Sequence, residues 1–179
     1  MLKNTQQDQY SMAQTSTEID RPAEQWKYPY VAAVIDFGSN FRANIIKRSD
    51  AKIGYNIAVE IHVNSNSEIG LGFLDEFLMD HQINPNIRED SKSDSYRLEI
   101  NRRDDVEKLL LLVHPFILVR AEVVNITLEK LIPKLNEGVQ KTEEGFYELV
   151  GHVDEIRSQT ITRREPKYTQ EYFKDEFDL

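Results

Sequence analysis

Tyr28-Pro-Tyr-Val-Ala-Ala-Val-Ile-Asp36, followed at once by Phe37-Gly-Ser-Asn40, is the stretch on which the fold turns. Its first part is short, apolar and rich in small residues. Pro29 suits the first turn of a helix, where a missing amide proton costs no bond. Gly38 can take the left-handed conformation that ends one. The expectation is a buried helix stopping at a carboxylate, Asp36.

Two strands are expected next. Phe41–Lys47 alternates loosely and Tyr55–Val63 alternates well, with Ile57, Val59, Ile61 and Val63 on one face and Asn56, Ala58, Glu60 and His62 on the other. Arg48–Gly54 is the hairpin loop between them. Leu71, Leu74 and Leu78 recur at helical spacing and predict a helix over about 67–81. Residues 83–94 are rich in turn formers and suggest a short strand and a loop, and Tyr96, Leu98 and Ile100 then alternate with Arg97 and Glu99 as a fourth strand. Three helices complete the order: Arg103–Val113, with acids in its first turn, Leu118–Ile132, stopped by Pro133, and Thr142–Ser158, with Thr142 as a cap.

Composition narrows the function classes. The 179 residues include no cysteine, so disulfide frameworks and thiolate metal sites are excluded. No apolar run approaches the roughly 18 residues of a membrane span, and the polar start, MLKNTQQDQY, lacks a secretory apolar region. A cytoplasmic location without a membrane partner is expected. Net charge is -9, which argues against avid non-specific binding to nucleic acid but not against a local basic face. The four histidines lack metal-ligand spacing. There is no P-loop, GxGxxG or GxSxG, so no small-molecule substrate is expected.

With this order of elements, the residues resemble the LAGLIDADG homing endonucleases of the single-motif class. The motif position is Val31-Ala-Ala-Val-Ile-Asp-Phe-Gly-Ser39, supported downstream by Tyr96-Arg-Leu-Glu-Ile-Asn-Arg-Arg-Asp-Asp-Val-Glu-Lys108 and His114-Pro-Phe-Ile-Leu-Val-Arg-Ala-Glu122. The resemblance implies an α+β fold of order αββαββα, with a four-stranded antiparallel saddle sheet and, here, extra C-terminal helices. The expected organisation is a mobile polar arm over residues 1–25, a LAGLIDADG-like domain over 26–158 and a charged, aromatic tail over 159–179. That tail is expected to be a solvated, partly helical end. One motif per chain implies a two-fold homodimer, with Ala32, Ala33 and Ile35 at its seam because small residues let helices approach closely.

One departure from the pattern bears on activity. In the family the motif ends with a metal-binding acid one residue before a glycine. A gapless alignment puts Gly38 there, and a one-residue deletion removes the acid altogether. Asp36 lies two positions earlier, about 200° around a helix, so it is expected to point away from a scissile phosphate. Arg120 aligns with a basic residue that the family uses in cleavage, and reads equally well as a solvated arginine at a helix start. No catalytic residue, metal or cofactor is therefore expected. If nuclease activity survives, Asp36 and Arg120 are the candidates, with Mg²⁺ held at Asp36.

The resemblance implies that the polar face of the sheet lies in the DNA major groove. Candidate DNA-binding residues are Arg42, Asn44, Asn56, His62 and Asn64, with Lys47, Arg48 and Lys52 towards the hairpin loop, and Arg88, Lys92 and Arg97 from the second hairpin. Arg102 and Arg103 extend the set. From Phe41 to Ser65 four basic residues face two acids, a net +2, whereas residues 66–95 carry a net -5. Arginine suits guanine edges and asparagine adenine edges. The expected function is double-stranded DNA binding by a degenerate, cleavage-inactive homodimer. Two alternatives stand beside it: an active metal-dependent endonuclease or nickase using Asp36, and a protein-interaction module using the same face.

Overall fold

The structure, a computed structural model, describes residues 25–90, 95–160 and 165–179. The expected N-terminal arm lies outside the described residues except for Gln25. Helix α1 (Lys27–Ala33) continues without a break into a π-helical turn, Val34–Gly38, and strand β1 (Ser39–Lys47) starts directly from it. Gly38 is not left-handed, contrary to expectation, and the glycines with positive φ are Gly54 and Gly138. The wider turn itself delivers the chain into the strand, and Ser39 Oγ closes it by donating to the Ile35 carbonyl at 2.6 Å.

Strand β2 (Tyr55–Ser65), helix α2 (Glu68–Asp80) and strands β3 (Asn86–Asp90) and β4 (Ser95–Ile100) follow as expected, and the antiparallel sheet has the order β1-β2-β4-β3. Helices α1, α2, α3 (Arg103–Val113) and α6 (Glu143–Ser158) share one core with the sheet's inner face. Phe41, Ala43, Ile45, Ile57, Val59, Ile61, Val63, Leu98 and Ile100 supply the sheet's side of that core. The period-two alternation puts them there, and a slip of one residue would turn them all to solvent.

Two expectations about helix ends fail. Pro133 does not stop its helix. Helix α4 (Ala121–Asn125) passes into a π turn, Ile126–Leu131, and then into α5 (Ile132–Glu137), which ends on left-handed Gly138. Pro133 thus sits in the first turn of a restarted α-helix, where the proline ring is tolerated. The buried Thr127 hydroxyl donates to the Val123 carbonyl at 2.7 Å inside the same widened segment. The same helix begins at Ala121 rather than Leu118, because residues 118–120 form its capping segment. Thr142 does cap α6, accepting from the Gly145 amide at 3.1 Å. Gly145 is required there, since a Cβ would fall 2.2 Å from the Val139 carbonyl oxygen.

The last residues are not a solvated end. Helix α7 (Gln170–Glu176) buries Phe173 completely, edge-on to Tyr55 and Phe146. Asp154 holds the helix start by accepting from the Gln170 amide at 2.7 Å, and the Tyr55 hydroxyl donates to Glu176 at 3.1 Å. A hydrogen bond to the Tyr172 hydroxyl at 3.2 Å, then burial and the bond to Glu176, hold the Tyr55 phenol well above its usual pKa. Among the described residues no helix is long and apolar enough to cross a membrane.

Candidate nucleic-acid interface

Chemistry-bearing side chains gather in two places, the end of the motif helix and the outer face of the sheet. At the helix end Asp36 is buried, and its carboxylate accepts three backbone amides: Leu118 at 2.8 Å and Val119 at 3.2 Å on one oxygen, Arg120 at 3.0 Å on the other. These amides belong to the segment that leads into α4, whose N-cap is Arg120. Arg120 returns the favour to the motif. Its Nε donates to the Asp36 carbonyl at 2.9 Å and its Nη2 to the Ser39 carbonyl at 2.8 Å. A carboxylate thus caps the N-terminus of α4 while a guanidinium caps the C-terminal carbonyls of the motif, each at the helix end its charge favours. Burial lowers the pKa of Arg120, and the Asp36 charge opposes that shift. Both expected candidates for cleavage chemistry are therefore committed to joining two segments about 80 residues apart in sequence.

The motif helix shows a different face outward from the one expected. Ala32 and Ile35 are wholly buried inside the chain's own core, so neither lies at a surface seam. Ala33 is exposed, as expected, with Tyr30 and Phe37 on the same side at spacings of three and four residues, and Phe37 is 77% exposed. Leu118, 82% exposed, and Val119 adjoin this stripe on the segment that Asp36 caps.

The outer face of the sheet is a ladder of polar side chains. Strand register sets Asn40 beside His62, Arg42 beside Glu60, Asn44 beside Ala58 and Ile46 beside Asn56. Across the remaining strands it aligns His62 with Glu99 and Asn86, and Asn64 with Arg97 and Arg88. Arg42, Asn44, Asn56, His62, Asn64, Arg88 and Arg97 accordingly share one face. Lys47 does not: it pairs with core-facing Tyr55, its ammonium 5.9 Å from that ring. Arg48 and Lys52 are exposed at the hairpin tip, where Arg48 pairs with Asp50. Lys92 lies outside the described residues. Arg103 donates to Asn136 at the end of α5, and Arg102 pairs with Asp105 on α3, so both belong to helix contacts.

The face also holds residues missed as candidates: Asn40, Asn86 and the carboxylate of Glu99. Turned with its carbonyl oxygen towards the neighbouring guanidinium, Asn40 accepts from Arg42 at 2.8 Å and Asn86 from Arg88 at 3.0 Å. Asn40 was legible as the residue that continues the alternation of Arg42 and Asn44, and Glu99 as the one that follows Arg97. Asn86 sits in a turn-rich run with too short an alternation to read. Glu60 is held below the usual carboxylate range, first by its bond to His62, then by the charges of His62 and Arg42. His62, on this face, is buried, with Nε2 3.4 Å from Glu60.

Solved structures on which the chain superposes include homing endonucleases. The chain superposes on I-CvuI, solved with the I-CreI target DNA uncleaved in the presence of Mg, at a TM-score of 0.75 and 16% identity, covering 86% of this chain and 94% of that one. It superposes on the archaeal intron-encoded homing endonuclease I-Vdi141I, complexed with DNA, at 0.74 and 18% identity over 87% and 96% of the two chains. The chain has the LAGLIDADG homing-endonuclease fold. The LAGLIDADG homing endonuclease I-SmaMI, bound to cleaved DNA, matches at 0.64 and 15% identity over 84% of this chain but 47% of its own length. No protein-family model matches the sequence, and no curated protein matches it.

The resemblance to the LAGLIDADG motif implies a divalent metal at the motif's end, and the residues there do not fit one. Gly38 has no side chain to offer, and both oxygens of Asp36 already accept amide protons from Leu118, Val119 and Arg120. Among the described residues no group of three His, Cys, Asp or Glu side chains is placed to hold a metal ion.

Proposed function

We propose that this protein binds double-stranded DNA through the outer face of its sheet, as a homodimer, without cleaving it. The observation that carries the reading is the contrast between Asp36, whose buried carboxylate is spent on three backbone amides, and Arg42, Arg88 and Arg97, whose guanidinium groups stand on an accessible polar face. Neighbours of the same fold crystallised on DNA support the choice of ligand. The dimer reading rests on the exposed apolar stripe of Tyr30, Ala33 and Phe37, extended by Leu118 and Val119. It is also supported by the match to about half of I-SmaMI, a chain with room for two such units.

Two measurements test the proposal. Fluorescence anisotropy with duplex DNA across a salt series is expected to show binding that weakens as salt rises. Incubation of supercoiled plasmid with the protein and Mg²⁺ or Mn²⁺ is expected to leave it uncut. Plasmid nicking that disappears in Asp36→Ala, with the variant still folded, would restore the active-nuclease reading.

A further inference from the structure

Arg88 and Arg97 stand directly opposite each other on β3 and β4. Like charges in that position are destabilising, so something must offset them. Glu99 lies between the two, its Oε2 3.4 Å from Arg88 Nε and its Oε1 3.8 Å from Arg97 Nη1, with a side chain only 12% exposed. Asn64 completes the support by accepting from Arg97 Nε at 2.9 Å. Each guanidinium is thus gripped near the floor of the sheet, while the side chains remain 62% and 38% exposed.

We propose that Glu99 is a positioning residue and that it holds Arg88 and Arg97 as a clamp reading guanine in two neighbouring base pairs. The inference rests on the DNA-binding reading and deepens it. A guanidinium is a planar fork that matches the two acceptors of guanine, O6 and N7, once its orientation is fixed. Opposed residues on paired strands lie about 5 Å apart, close to the rise of about 3.4 Å per base pair. Glu99 offsets one of the two charges and leaves directional donors on both guanidinium groups. Arg42, opposite Glu60 on β1 and β2, has the same pairing of a base with an acid but lacks a second arginine.

The test is selection of bound duplexes from a randomised pool by the full chain, followed by affinity measurements on the selected site. The wild-type chain is expected to enrich guanine at two neighbouring positions. Arg88→Lys keeps the charge at an exposed position but loses the fork. It is expected to reduce the preference for guanine at one position by about 10- to 100-fold. Glu99→Gln is expected to relax both positions while the thermal midpoint stays within about 5 °C. A uniform loss of affinity across sequences in Arg88→Lys would identify a phosphate contact and overturn the proposal. So would a bound pool without enriched guanine, or an unchanged guanine preference in Glu99→Gln. A wild-type chain that retains no duplex at any salt is a separate result: it removes the DNA reading, and this inference with it.

Discussion

The motif end and the sheet face contain the same kinds of residue and put them to opposite use. At the motif end, Asp36 and Arg120 bond almost entirely to backbone, and the backbone belongs to another segment. On the sheet, Glu60 meets His62, and Glu99 meets Arg88 and Arg97, side chain to side chain, with the arginines reaching towards solvent. A buried carboxylate that satisfies three backbone amides is held in place, because moving it breaks all three bonds at once. A charge in a half-exposed pair can exchange its partner for a ligand at little cost. The second region can therefore bind and the first can only hold.

The largest effect expected from this contrast is at Asp36. Asp36→Ala strands three amides and should cost about 3 kcal/mol of stability in urea unfolding, with Asp36→Asn losing about half as much. An unchanged midpoint in the alanine variant would break the comparison. On the sheet the order reverses. Arg42→Ala should weaken duplex binding by about 1–3 kcal/mol while shifting stability by less than about 0.5 kcal/mol. Equal losses in both would make the face a structural one. Phe37→Glu places a charge in the exposed stripe and should weaken dimerisation by about 1.5 kcal/mol or more in sedimentation, with the monomer fold unchanged. The smallest effect concerns Glu60, whose pKa is depressed in the folded chain. Its contribution is full above the ordinary value of 4.5 and is lost as pH falls below it. Acid titration of stability should show a dip of less than about 1 kcal/mol in that range, absent in Glu60→Gln.

How much of this could be read from the residues depended on how near each partner lay. The alternation of Ile57, Val59, Ile61 and Val63 is a local signal, and it fixed both the inner face of β2 and the polar outer one. Thr142 needed only Gly145, three residues on, to act as a cap. That Asp36 would point away from a scissile phosphate could be expected from helical geometry and the resemblance together. Its actual partners, Leu118 to Arg120, could not, because no short-range pattern points to amides about 80 residues away. Phe173 gives the same lesson: read among charges it looked solvated, yet Tyr55 and Phe146 enclose it.

The sequence by itself determined the order of strands and helices, the polarity of the two sheet faces and the glycine, rather than a carboxylate, at position 38. Periodicity and residue identity are local properties and survive without a fold. Only the tertiary structure decided that Ala32 and Ile35 turn inward while Ala33 and Phe37 turn outward, because the path of the core selects which side of an apolar helix is covered. It alone decided that Pro133 lies within a continuing helix, since the π turn before it resets the helical phase. And it alone brought Arg88 to Glu99, because strand pairing, not sequence distance, sets which charges meet across a sheet.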